Sequence, residues 1–228
     1  MQLDLQLTVA TTVEPSPNVL RVAAMFGLGI DEQKKLSIIP SMKLDLQGGR
    51  VVFITGPSGS GKSLLLGLID KALRDREGVR VIRFDQLPDP PDRPLVDCFD
   101  PVPLEQVLQT LSIAGLNDAF VMLRKPSELS DGQRYRLRLA QTMRLVADGS
   151  AGSSPRLCVM LADEFGATLD RLTAAVIARN VRKWTRRQGH VCFIAATTHD
   201  DLLEPLEPDV LIEKHLGQSI EVHVRGSG

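Results

Sequence analysis

The segment GPSGSGKS, residues 56–63, places four residues between Gly56 and Gly61 and follows the second glycine with Lys62 and Ser63. That spacing suits the grip of a polyphosphate when a buried strand enters the segment and a helix leaves it. Glycines let the backbone wrap closely around an anion, and successive amide hydrogens with a helix start form a cradle for negative charge. The cradle residues are Gly56, Pro57, Ser58, Gly59, Ser60, Gly61, Lys62, Ser63 and Leu64. Lys62 is expected to reach the outer phosphates, and the Ser63 hydroxyl to bind the magnesium ion that accompanies them. The competing interpretation is a glycine-rich turn with a chance lysine. The apolar run RVVFIT before the segment and the helix-forming run after it argue against that.

Downstream, CVMLADEF puts Asp163 and Glu164 after an apolar run, at the strand end where parallel sheets display functional groups. Successive side chains of an extended backbone point to opposite faces, so the two carboxylates divide the work. Asp163 is expected to hold magnesium through water, and Glu164 to orient or deprotonate an attacking water. Alone, the pair would equally suit a helix N-cap with a neighbouring acid; a phosphate loop expected on a neighbouring strand favours the catalytic reading. His199, at the end of VCFIAATTHDD, could donate a hydrogen bond to a terminal phosphate, or be an ordinary surface histidine. His190, His215 and His223 have no such setting.

The stretch KPSELSDGQRYRLRLAQ, residues 125–141, gathers Ser130, Asp131, Gly132 and Gln133 just before an amphipathic helix. By local grammar this is a Ser or Asp helix cap. No ligand for it is evident within one chain.

Around these segments, strand and helix alternate. Residues 2–9 alternate polar and apolar, as does SMKLDLQGG; RVVFIT, LCVMLA and VCFIAAT are apolar throughout and read as strands covered on both faces. Helices are expected from Lys62 to about Leu73, over PLEQVLQTLSIAGL, from Gly132 to about Val146 and from about Asp170 to Arg187, with a strand at VRVIRF and two at the C-terminal end. DQLPDPPDRP is a stiff surface loop, and ADGSAGSSPR a flexible connection. The fold class is therefore α/β, a mostly parallel central sheet with helices on both faces, an antiparallel N-terminal part, and a small helical lobe at 101–146, all within one domain of residues 1–228.

Of the 228 residues 43% are hydrophobic and only 4% aromatic, so the core must be largely aliphatic. A formal charge of -1 gives no general field for nucleic acid or an anionic membrane. Cys98, Cys158 and Cys192 lie far apart, which supports neither a disulfide scaffold nor a four-ligand zinc site and fits a reducing, cytoplasmic setting. The N-terminus lacks the pattern of a secretory signal, and no apolar run is long enough to span a bilayer. RNVRKWTRR sets Arg179, Arg182, Lys183, Arg186 and Arg187 beside Trp184. It is either a local phosphate-binding stripe for nucleic acid or, more simply, a solvated helix end whose cations suit the C-terminal dipole.

The order of these motifs resembles the ABC-type ATPases over nearly the whole chain. GPSGSGKS is similar to their Walker A motif, ELSDGQRYRLRLAQ to their signature, LCVMLADEF to Walker B, ATLD to the D-loop with Asp170 as its acid, and TTHD to the switch histidine at His199. Gln86 resembles the Q-loop glutamine, a further magnesium ligand, and Phe26 the aromatic that stacks on adenine. The resemblance implies a P-loop NTPase fold, ATP and Mg2+ as ligands, and hydrolysis by Glu164 with His199 and Lys62. It also implies a nucleotide-dependent head-to-tail homodimer in which Ser130, Gly132 and Gln133 of one chain meet the phosphates held by the other.

Several residues depart from the family pattern. Asp131 stands where glycine is usual, so its carboxylate must point away from phosphate or meet a basic group. Phe165-Gly166 replaces a Pro-Thr pair, Leu64 replaces a threonine, and the interval from Ser63 to Gln86 is short. These departures favour a soluble ATPase that moves a fused or separate effector domain. The alternatives are the ATP-binding subunit of a membrane transporter and an ATPase of nucleic-acid maintenance. Relatives fused to acetyltransferase-like domains exist in the family, but no residue here supplies that chemistry.

Overall fold

The computed structural model describes residues 1–11, 13–29, 34–147 and 156–225. Its strands are β1 (Gln2–Thr11), β2 (Lys34–Asp45), β3 (Val51–Thr55), β4 (Val79–Arg83), β5 (Leu157–Ala162), β6 (Val191–Ala196), β7 (Val210–Lys214) and β8 (Ile220–Val224). The helices are α1 (Pro17–Phe26), α2 (Lys62–Arg74), α3 (Leu104–Ile113), α4 (Ala119–Met122), α5 (Asp131–Ala147), α6 (Arg171–Gln188) and α7 (Leu203–Leu206). The connection expected at ADGSAGSSPR falls largely outside the described residues.

Strands β3, β5 and β6 are buried at every position because both faces of the sheet are covered. Alternate residues feed two cores. Val51, Phe53, Met160 and Phe193 pack with Leu111 of α3, Leu139 of α5 and Ile177 of α6. Val52, Ile54, Val159 and Ile194 pack with Leu65, Leu66, Ile69 and Leu73 of α2 and with Leu3, Leu5, Ile39 and Leu44 of the β1–β2 ribbon. The ribbon is an antiparallel pair covering one face, and the helices around 101–146 lie on the other side.

The six-stranded sheet runs β4-β5-β6-β3-β7-β8, parallel except for the final β7–β8 hairpin. One expectation is corrected here. The Asp163 strand is not a neighbour of the phosphate-loop strand, because β6 lies between β5 and β3. The insertion brings a third strand end, Thr197–His199, between the other two.

Helix α1 escaped the sequence reading. Its signals are conventional: Ser16 accepts a hydrogen bond from the Val19 amide, Pro17 opens the first turn, and Gly27 closes the helix in left-handed conformation. Only Ala23 of this helix is buried.

The sheet is fastened to α6 at its lower edge. Asp209, just before β7, takes two hydrogen bonds from the buried Arg182 guanidinium and one from the Val51 amide at 2.8 Å. Burial raises the Asp209 pKa, but these bonds outweigh it and hold the carboxyl below its ordinary value.

Candidate functional site

The strands β3, β5 and β6 are parallel, so all three end at one edge of the sheet. The loop after β3 turns back over its own strand and enters α2. Gly56 has φ 140°, and a β-carbon there would sit 2.0 Å from the Lys214 carbonyl oxygen, so no other residue fits. The Lys62 ammonium donates to the carbonyls of Gly56 at 2.8 Å and Pro57 at 2.9 Å. It is largely buried, which lowers its pKa, while Asp163, Asp200 and Glu164 pull in the opposite direction. Ser60 Oγ is buried without a hydrogen-bond partner. An orphaned hydroxyl in a loop shaped by glycine, beside a cation whose bonds go to loop carbonyls, suits an anionic ligand.

A pocket of about 460 Å³ joins this loop to the other strand ends, lined by Ser58, Gly59, Gly61, Lys62, Ser63 and Leu64, by Asp163, Glu164 and Ala167, and by Thr197 and Thr198. Glu164 has φ 50°, uncommon for a residue with a side chain and worth about 1–3 kcal/mol of strain. The backbone at Asp163-Glu164 is therefore not extended, and both residues reach the pocket wall. The Glu164 amide donates to Asp163 Oδ1 at 3.1 Å, and the Phe165 amide to the Ala196 carbonyl at 2.9 Å, which ties the turn to β6. Thr197 and Thr198 were not singled out in the sequence, although they directly precede His199. The His199 amide donates to Thr197 Oγ1 at 3.3 Å, and its ring is half-buried just beyond the pocket lining.

The remaining expected residues lie elsewhere. Gln86 sits in a single turn after β4 and accepts a hydrogen bond from Arg74 at 3.4 Å. Phe26 ends α1 at 75% exposure. Ser130, Gly132 and Gln133 open α5, and Asp170 caps α6 by accepting from the Thr173 amide at 2.9 Å; that bond holds its carboxyl below the ordinary value. None of these six lines the phosphate pocket.

At the start of α5, the Gln133 amide donates to Ser130 Oγ at 3.3 Å and the Ser130 amide donates to Gln133 Oε1 at 3.0 Å, a reciprocal capping box. Asp131 meets Arg134 at 3.2 Å, so its carboxylate has a basic partner. A β-carbon on Gly132 would approach Leu169 at 3.4 Å, so this turn packs against the loop that leads to Asp170.

Tyr135, the only tyrosine in the chain, carries no sequence signal of its place beside the site. The Gly166 amide donates to its hydroxyl oxygen at 2.9 Å, two residues beyond Glu164. Its ring stands 4.7 Å from Phe84 and 6.5 Å from Phe165, which in turn lies 5.3 Å from Phe193. Burial pushes its phenol pKa upward, so it stays neutral. The Phe165-Gly166 departure now has a physical reason: Phe165 fills the core, and Gly166 takes φ 75° to present its amide to Tyr135.

Residues 39–97 match the ABC transporter family. The chain is 26% identical to the lipoprotein-releasing system ATP-binding protein LolD of Maricaulis maris, over 80% of this chain and 89% of that one. The likeness is to ATP-binding proteins of the ABC type. Another ABC-type relative, the uncharacterized ABC transporter ATP-binding protein MJ0796 of Methanocaldococcus jannaschii, is 26% identical over 71% of this chain and 79% of its own length. The fold matches the dimeric structure of that cassette with a TM-score of 0.64 at 20% identity, covering 100% of both chains. A post-hydrolysis dimer of the same cassette, bound to ADP and Pi, matches with a TM-score of 0.62 at 18% identity and 100% coverage of both.

Proposed function

We propose that this chain is an ABC-type ATPase domain that binds ATP with magnesium and hydrolyses it, and that two copies close head to tail around the nucleotide. One observation carries this reading: Lys62, Ser63, Asp163 and Glu164 share one pocket, while Ser130 stands outside the pocket of its own chain. The likeness to a dimeric cassette and to its ADP and Pi complex supports it.

Lys62 draws negative charge toward the loop. The amides of the loop and the first turn of α2 hold the phosphates in place. Ser63 and Asp163 offer a hydroxyl and a carboxylate, the oxygen donors that suit Mg2+. When bound, the ion would neutralise the outer phosphate oxygens. Glu164 accepts the proton of the attacking water, and its strained backbone aims it into the pocket. His199, one residue beyond the lining, would join when the chains close. Ser130 of the second chain can donate its hydroxyl proton to the outer phosphate while its oxygen keeps the Gln133 amide, because a hydroxyl is both donor and acceptor. Phe26 and Asp170 would be recruited at the same closure, and Gln86 only by leaving Arg74.

The test is Glu164→Gln. Hydrolysis should fall by about 100-fold or more, nucleotide affinity should hold, and ATP should double the particle mass. A variant that turns over ATP at the native rate would remove the general base from the mechanism.

The work done by closure is read in two ways. The atypical Phe165-Gly166 turn favours a soluble or fused effector. The names of the relatives, including the zinc import ATP-binding protein ZnuC of Jannaschia sp., 27% identical over 72% of this chain and 67% of its own length, favour a membrane partner. No helix among the described residues is long and apolar enough to cross a membrane, so such a partner would bring its own. Co-purification with a multi-span membrane protein decides for the second reading. For nucleic acid, the alternative of a basic stripe is weakened, because Arg182 is committed to Asp209 and Trp184 is buried.

A further inference from the structure

The β7–β8 hairpin carries an ionisable cluster that the nucleotide chemistry does not use. Glu213 and Glu221 stand directly opposite each other in the antiparallel register, and His215 and His223 follow them by two residues, on the same face. Facing carboxylates repel across a ladder and destabilise it unless positive charge stands beside them. Among the described residues no lysine or arginine pairs with either one. Their partners are imidazoles. His223 Nε2 lies 3.2 Å from Glu213 and 3.7 Å from Glu221, and His215 Nε2 lies 3.3 Å from the other oxygen of Glu221.

That geometry is close to a ligand set. One donor atom each from Glu213, Glu221 and His223 lie within 4.8 Å of one another. Tetrahedral bonds of about 2.0–2.2 Å set neighbouring donors roughly 3.3–3.5 Å apart, near the spacings His223 already keeps. One imidazole with two carboxylates is a borderline donor set that suits zinc better than all-oxygen ions such as calcium or magnesium.

We propose that Glu213, Glu221 and His223 form a binding site for Zn2+ or a chemically similar divalent transition metal, with His215 as a positioning residue that holds Glu221 by its far oxygen. The ion replaces repulsion between the facing carboxylates with a shared cation and clamps the edge strand β8 to β7. Three protein donors leave a fourth position for water, and His223 also lines an open groove of about 760 Å³, so solvent reaches the site. The site is independent of the nucleotide reading: it uses none of the residues assigned to ATP.

The experiment is calorimetric titration of ZnCl2 into tag-free protein stripped with EDTA and desalted, with bound Co2+ absorption as a second readout. One equivalent should bind, and the thermal midpoint should rise with it. His223→Ala and Glu221→Gln should each weaken binding at least tenfold, and His215→Ala by about 10- to 100-fold. Cys98→Ala, which removes the one cysteine not buried, should bind as the native protein does. Circular dichroism of each variant separates lost binding from lost folding. Failure of the native protein to bind zinc overturns the proposal, as does equal binding by a folded His223→Ala, Glu221→Gln double variant.

Discussion

At the phosphate loop, polar groups wait for a ligand: Ser60 Oγ is buried without a partner, and the bonds of Lys62 go to loop carbonyls. At the start of α5, groups of the same kinds are already satisfied. Ser130 and Gln133 bond each other, Asp131 holds Arg134, and Asp170 nearby holds the Thr173 amide. A buried polar group without a partner costs free energy, so the first region gains by binding and the second is stable alone. In the proposed mechanism an isolated chain thus carries one half-site for nucleotide and one at rest, and closure must add to the resting one without dismantling it.

The largest effect should come from breaking the poised half. Lys62→Met removes the cation that draws the phosphates, and ATP hydrolysis should fall by about 100- to 1,000-fold. The fold should survive, because the ammonium bonds only loop carbonyls. Thermal melting with and without Mg-ATP separates the two: the native protein should gain stability from nucleotide and the variant should not. A variant that retains native turnover would show that the loop carbonyls, not phosphate, are the purpose of Lys62.

The resting half can be sharpened by a substitution that keeps the cap and removes the donor. Ser130→Asp still accepts from the Gln133 amide, and Asp caps as well as Ser, so monomer stability should be unchanged. Its carboxylate would face phosphate across the closed pair, so ATP-dependent dimerisation should be lost and hydrolysis should drop by about 100-fold. Ser130→Ala, by contrast, should cost about 1 kcal/mol of stability as well. Scattering with a Glu164→Gln background reads the dimer directly. A Ser130→Asp chain that still dimerises would confine Ser130 to its cap.

The same contrast explains what could be read from residue order. The phosphate loop, the Asp163-Glu164 strand end and the helix after Ser130 depend on local periodicity and caps, which a few residues specify. The position of β6 between β3 and β5 depends on pairing across more than a hundred residues of chain, and local pattern does not encode it. Helix α1 had a Ser16-Pro17 start and a Gly27 stop, but Pro15 and Pro17 together looked like a break in regular structure. Arg182 and Trp184 looked like a surface stripe because the Asp209 partner and the core they enter are tertiary. His215 and His223 looked idle for the same reason: their carboxylate partners are set by hairpin register.

The smallest and most informative effect belongs to Tyr135, which joins the two half-sites within one chain. It lies on α5, five residues from Ser130, and its hydroxyl receives the amide of Gly166, two residues from Glu164. Tyr135→Phe keeps the ring contacts with Phe84 and Phe165 and removes one hydrogen bond, leaving the Gly166 amide without its acceptor. A lost bond of this kind costs about 1–2 kcal/mol. If the bond merely stabilises the fold, that cost appears in thermal melting and turnover per folded molecule stays native. If it sets the turn that aims Glu164, turnover should fall by about tenfold at saturating ATP with nucleotide affinity unchanged, because the loop around Lys62 is untouched. The split between affinity and turnover therefore decides whether α5 positions the proposed general base of its own chain while its capping residue, Ser130, serves the phosphate of the other.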